Sequence, residues 1–262
     1  MTILDTIFAQ KREMQAQKVA TTPLSEMIGR ALDAAPPRGF RATLEASPHH
    51  PALIAEIKKA SPVRGVLREP FDPRSIAEAY AAVGVDCLSV LTCEQFFQGS
   101  AENLRIARSV TDLPTIRKDF TVSEYDIYEA RAIGADAILL IASGLNDQEL
   151  LEFREIGEQL KMDVLVEVHN ENELGRALHS RATFIGVNNR DLTTFETRIE
   201  TTEQLSALLP AETHLVAESA LRDHNDVGRV AKAGARSVLV GTVFMKAQDI
   251  GSKVREVMEW HS

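Results

Sequence analysis

Gly134–Ile141 reads GADAILLI: a glycine, three small or acidic residues, then four aliphatic side chains in a row. The same junction recurs as GVDCLSVL at Gly84–Leu91 and GARSVLVG at Gly234–Gly241. Glycine ends helices in the left-handed conformation, and so short an apolar run fits a strand buried on both faces. Each junction therefore reads as a helix end followed by a buried strand. The three glycines are spaced by multiples of about 25 residues, the length of one strand plus one helix with short loops. Further apolar runs keep that rhythm: ALIAEI (52–57), LPTIRK (113–118), DVLVEV (163–168), FIGVN (184–188) and HLVAES (214–219). Together they predict eight strands.

The intervening segments carry helix signals. Asp72-Pro73 is a capping residue followed by proline at the first helical position, and Ile76, Tyr80 and Val83 mark one face before Gly84. Asn170 with Glu173 resembles a capping box ahead of Leu174, Ala177 and Leu178. Leu150, Phe153, Gly157 and Leu160 form another stripe, and Val227, Val230 and Ala231 precede Gly234. Eight alternations of strand and helix imply a parallel sheet, and the 262-residue length suits closure into an α/β (β/α)8 TIM barrel. No linker or low-complexity tract divides the chain, so residues 1–262 read as one barrel domain. Residues 1–50 fall outside the rhythm and read as an N-terminal helical extension, with two amphipathic segments at Ile3–Val19 and Leu24–Leu32. Such an extension would cover the barrel bottom or flank the active-site face.

The formal net charge of −9 opposes broad electrostatic binding to nucleic acid or an anionic membrane. An anionic ligand must therefore be held by a local cluster of donors. Cys87 and Cys93 are too few for a disulfide framework and lack metal-ligand spacing. The start lacks the apolar run of a signal peptide, and no stretch approaches the roughly 20 apolar residues of a membrane span. The expectation is a cytoplasmic protein with reduced thiols.

Ligands of this fold bind where the strands end, so polar residues there invite a functional reading. Glu56, Lys58, Lys59 and Ser61 lie at the end of the first strand, Arg117-Lys118-Asp119 at the third, and Glu167 with His169 at the fifth. Asn188-Asn189-Arg190-Asp191 ends the sixth, Glu218-Ser219 the seventh and Gly241-Thr242 the eighth. Charges inside apolar strands are costly unless paired or used. Alternation puts Glu56 and Lys58 on one side and can aim Lys118 and Glu167 inward. Ser219-Ala220 and Gly241-Thr242 occupy the two loops that often hold phosphate through backbone N–H groups, which with Ser61 and Lys58 suggests a phosphorylated substrate.

Eight ordered blocks accompany those strand ends: IAEIKKASPVRG (54–65), LTCEQFFQGS (91–100), RKDF (117–120), EYDIYEARAIGADAILLI (124–141), LVEVHNENEL (165–174), IGVNNRDL (185–192), VAES (216–219) and LVGTVFM (239–245). With ILDTIFAQKREM at the N-terminus, they strongly resemble the indole-3-glycerol-phosphate synthases of the tryptophan pathway. The resemblance implies a barrel with an N-terminal extension and no metal or organic cofactor. It also implies the substrate, 1-(2-carboxyphenylamino)-1-deoxyribulose 5-phosphate, which closes a ring and loses carbon dioxide and water. Lys118 matches the family's acid for the ketone oxygen. Lys58 matches the cation that holds the anthranilate carboxylate, with a further proton-transfer role. Glu167 matches the base, Glu56 and Glu218 match positioning carboxylates, and Asn188 matches a hydrogen-bonding asparagine near the reacting carbons. Ser61, Ser219, Gly241 and Thr242 match the phosphate-binding positions. Association with other tryptophan-pathway enzymes stays open, as does the oligomeric state.

Two blocks depart from the common pattern. Cys93 stands where many members carry aspartate, and a small structural replacement fits better than a reactive thiol, since no base is placed beside it. Ala220 stands where many carry glycine; if that position has positive φ, alanine adds strain while its N–H can still face phosphate. His169 reads as a turn or helix-entry residue outside the barrel. Arg190 and Asp191 read as holding their own loop by local bonds. Phe96-Phe97 are candidates for an aromatic wall or for plain packing. A phosphoribosylanthranilate isomerase would need a cysteine and aspartate pair and leave AEIKKASP and RKDF idle. A non-catalytic binding barrel would leave Lys58, Lys118, Glu167 and Asn188 unexplained.

Overall fold

The computed structural model describes residues 3–191 and 196–260. Leu192, the last residue of the IGVNNRDL block, lies outside the described residues. Eight strands pair in parallel into a closed barrel: β1 Ala52–Ile57, β2 Cys87–Leu91, β3 Thr115–Lys118, β4 Ala137–Ile141, β5 Asp163–Val168, β6 Phe184–Asn188, β7 His214–Glu218 and β8 Ser237–Val240. Each lies within the run predicted for it. Their side chains are almost wholly buried, because one face fills the barrel and the other meets the helical ring.

Asp72 caps its helix by accepting from the Arg74 and Ser75 amides, and Gly84 ends it at φ +84°. Gly134 and Gly234 adopt φ +91° and +102°, as their junctions predicted. At Asn170 the capping box is only half made. Its side chain accepts from the Glu173 amide, but Glu173 answers the backbone N–H of His169, one residue earlier. The full reciprocal box is at Asn146 and Glu149. Leu160 lies just past the helix Asp147–Gln159 as its C-cap.

The extension holds three helices, where two were predicted: α1 Ile3–Thr21, α2 Leu24–Asp33 and α3 Phe40–Glu45. The third closes the barrel floor. Phe40 is fully buried against Phe184, and the Arg41 amide donates to Asp163 at the start of β5. Meanwhile α1 reaches the opposite end, where Phe8 packs edge-on against Phe120 just beyond β3. The extension thus covers the floor and flanks the mouth. Among the described residues, no helix is long and apolar enough to cross a membrane.

Candidate active site

Parallel register and strict alternation carry one charged or polar residue from several strands into the upper barrel. Leu91 pairs with Lys118, Ile141 with Glu167, Glu167 with Gly186, and Asn188 with Glu218. Lys118 Nζ donates to Glu167 Oε2 at 2.6 Å and to Glu218 Oε2 at 2.8 Å. Glu167 Oε1 accepts from Asn188 Nδ2 at 3.0 Å, and Asn188 Oδ1 accepts the Arg190 amide. Across the barrel, Lys58 donates to Glu56. Six predicted residues, Glu56, Lys58, Lys118, Glu167, Asn188 and Glu218, therefore line one cavity of about 410 Å³.

Burial alone would strip the proton from Lys118, but Glu167, Glu218 and Glu56 outweigh it and hold the ammonium well above the ordinary lysine range. The two carboxylates on that ammonium diverge. Burial works against the Glu167 anion, yet Lys118 and His169 overcome it and hold the group well below the usual carboxylate range. Glu218 is raised, first by burial and then by the charge of Glu167, against the pull of Lys118. Its second oxygen, Oε1, is buried without a hydrogen bond. The site therefore holds a proton donor, an ionised acceptor and a carboxyl that readily takes a proton, all within hydrogen-bonding reach.

Two glycines make room for the acids. A Cβ on Gly186 would collide with Glu218 Oε1, and one on Gly241 would collide with Glu56. Gly186 was not predicted; a glycine inside a buried strand signals such close approach.

The same cavity is also lined by Ser61, Ser219, Ala220, Gly241 and Thr242. Gly241 precedes a short helix, Thr242–Met245, whose first amides have no intrahelical acceptor. Ser219 and Ala220 both adopt left-handed backbone, at φ +64° and +63°, so alanine sits in the strained conformation that the sequence raised as a condition. Leu4 and Ile7 of α1, with Phe97 and Phe120, give this cavity an apolar wall. Phe97 and Phe120 lie 6.1 Å apart; Phe96 faces a separate crevice beside Met14 and Lys11.

Cys93 is buried, and burial followed by the charge of Asp119 pushes its thiol up to about 11, so it is no ready nucleophile. Asp119 also lines the cavity, and its carboxylate is held in a network with Lys11 of α1, Thr92 and Arg117. His169 is a helix-entry residue bonded to Glu173, as predicted, and its Nε2 also lies 3.3 Å from Glu167 Oε1, an approach the sequence did not suggest. Arg190 and Arg64 also line the cavity, and Arg64 and burial together disfavour the Arg190 charge. A crowded pair of cations facing a cavity suits an anionic ligand. Arg190 had been read as a loop-holding residue only, and adjacency to Asn188 was the available signal.

Residues 4–257 match the sequence profile of the family described as indole-3-glycerol phosphate synthase. The chain belongs to the indole-3-glycerol phosphate synthase family. Membership makes it a lyase-type enzyme of tryptophan biosynthesis with a phosphorylated small-molecule substrate, and the isomerase reading gains no support. Solved structures similar in fold include 3-hexulose-6-phosphate synthase, with 17% identity and a TM-score of 0.60 over 79% of this chain and 98% of that one. KGPDC from Streptococcus mutans gives 15% identity and 0.60 over 79% and 95%. Thiamine phosphate pyrophosphorylase from Pyrococcus furiosus gives 17% and 0.59 over 80% and 96%. At such identities the likeness to these three concerns the barrel alone, whereas the indole-3-glycerol phosphate synthase match spans nearly the whole chain.

Proposed function

We propose that the chain is a carbon–carbon carboxy-lyase that converts 1-(2-carboxyphenylamino)-1-deoxyribulose 5-phosphate to indole-3-glycerol phosphate, with Lys118 as acid and Glu167 as base. The observation that carries this reading is the half-buried ammonium of Lys118, bonded to two buried carboxylates of opposite tendency at the mouth of an apolar barrel. The substrate phosphate sits against Ser61 and the loops Ser219-Ala220 and Gly241-Thr242. Its aromatic ring lies along Phe97, Phe120 and the N-terminal turns of α1. Lys58 and Arg190 hold the carboxylate until it leaves as carbon dioxide.

Ring closure turns the ketone into a developing alkoxide, which Lys118 protonates as charge accumulates. Carbon dioxide then departs and returns its bonding pair to the ring. Loss of the hydroxyl as water requires a second proton on oxygen and removal of one from the new five-membered ring, and Glu167 accepts the latter. Its 2.6 Å bond to Lys118 lets that proton return to the acid. Glu56 steers Lys58, and Asn188 and Glu218 orient the Lys118–Glu167 pair. Residues 1–262 act as one domain, since α1 contributes to the cavity and α3 to the floor. The two unpaired cysteines fit a cytoplasmic setting.

Lys118→Met tests the assignment. The variant is expected to bind substrate and lose indole formation, an effect on kcat more than on KM. Turnover within a few-fold of the parent would remove Lys118 from the acid role.

A further inference from the structure

Glu167 and Glu218 compete for one ammonium, and their other oxygens fare differently. Glu167 Oε1 is bonded to Asn188 Nδ2 at 3.0 Å and has His169 Nε2 at an ion-pair distance of 3.3 Å without a hydrogen bond between them, whereas Glu218 Oε1 has no hydrogen bond at all. The His169 ring lies half-buried between two acids, Glu167 and Glu173. Its Nδ1 lies 2.9 Å from Glu173 Oε2, an oxygen that also accepts the His169 backbone N–H. The helix entry is already capped by that backbone bond and by Asn170, which accepts from the Glu173 amide. The ring adds something else, a cation fixed from behind and aimed at the barrel.

We propose that His169 is a positioning residue that decides which of the two carboxylates is the ionised base, by presenting an imidazolium, braced by Glu173, to Glu167 and not to Glu218. The proposal rests on Glu167 being the base. Without His169, Lys118 and the neutral amide of Asn188 alone face Glu167 from β3 and β6, while Glu218 on β7 bonds the same ammonium and Glu56 adds negative charge from β1. A proton would then distribute between two nearly equivalent acids, and the base would be partly lost at neutral pH. In the intact site His169 is itself pushed up to about 10: burial opposes the charge, but Glu167 and Glu173 outweigh it, so the ring stays an imidazolium through neutral pH.

The test is the pH profile of kcat in His169→Phe, with KM and melting temperature measured on the same protein. Removing the imidazolium favours protonated Glu167, so the acid limb should move up toward neutrality. Turnover is expected to fall about tenfold at pH 6 and to recover to within about threefold of the parent at pH 9, with KM little changed. An acid limb where the parent has it overturns the proposal, and so does an equal loss at every pH, which is the mark of a merely structural residue. His169→Gln keeps a donor without charge and should shift the limb in the same direction by less; if His169→Phe does not fold, an unshifted limb in His169→Gln is decisive. Glu167→Gln in the same assay separates the two readings. Full turnover there would refute Glu167 as the base, whereas a dead Glu167→Gln beside an unperturbed His169→Phe refutes only the role of His169.

Discussion

Replacing Glu167 by glutamine keeps the shape of the side chain and removes its charge, and the structure says how the loss should divide between rate and stability. Glu167 accepts from two donors, Lys118 Nζ and Asn188 Nδ2, through different oxygens. An amide has one oxygen, so either Lys118 or Asn188 loses an acceptor, at about 1–3 kcal/mol for one unsatisfied buried donor. Breaking a buried ion pair outright costs roughly 3–5 kcal/mol because a charge is left alone. Here Lys118 keeps Glu218 at 2.8 Å, His169 keeps Glu173 at 2.9 Å, and the repulsion between Glu167 and Glu218 disappears. The net should therefore be about 2 kcal/mol or less, a fall in melting temperature of no more than about 8 °C for a chain of this size. Removing a positioned base should lower kcat by about 10²-fold or more, equivalent to about 2.7 kcal/mol of barrier. Substrate binding should survive. The assay is kcat, KM and melting temperature on one preparation. A variant that melts far earlier yet turns over normally when folded would make Glu167 a structural counter-ion and shift the base to Glu56 or Glu218.

Three other outcomes follow from particular residues. Thr242→Glu puts a like charge beside the phosphate loops and should raise KM about fivefold or more, given roughly 1–4 kcal/mol for charges about 4 Å apart, with little loss of stability; unchanged affinity for substrate and inorganic phosphate would put the phosphate elsewhere. Ala220→Gly relieves about 1–2 kcal/mol of left-handed strain at φ +63° while returning about 0.4–1 kcal/mol of unfolded-state entropy, so stability should be unchanged or up to about 1.5 kcal/mol higher, and a loss above about 1 kcal/mol in chemical denaturation would contradict the strain. His214 is held neutral, lowered to about 4 by burial and then by Arg41. Below the unfolded value of about 6.5 the unfolded chain binds the proton first, so His214 should cost up to about 3 kcal/mol as pH falls to about 4. Stability curves over that range should be shallower for His214→Gln, and parallel curves would refute the assignment.

The barrel was legible because its signals are local and repeated: a left-handed glycine, then a short run too apolar for any face but a buried one. Helix α3 escaped because six residues after a proline pair carry no periodicity, and Phe40 becomes meaningful only against Phe184 on the barrel floor. Within the site, parity put Glu56 and Lys58 on one side and aimed Lys118 and Glu167 inward, while Asn188 and Glu218 stood out as polar residues at strand ends. The roles came from the family resemblance, since parity says that two acids face one lysine but not which acid keeps its proton. His169 is the helix-entry residue that its position predicts, but it belongs to a loop, where alternation no longer sets direction, so the approach of its ring to Glu167 was not legible. Arg190 likewise follows its strand, and its approach to Arg64 spans 126 positions of sequence.

The most direct test of the central claim is turnover by the purified chain. Given the carboxyphenylamino-deoxyribulose phosphate labelled with ¹³C in its carboxylate, the protein should release labelled carbon dioxide and form the indole chromophore in equal amounts, with one proton taken up from buffer per turnover. Folded protein that binds the substrate but yields neither product would contradict the account.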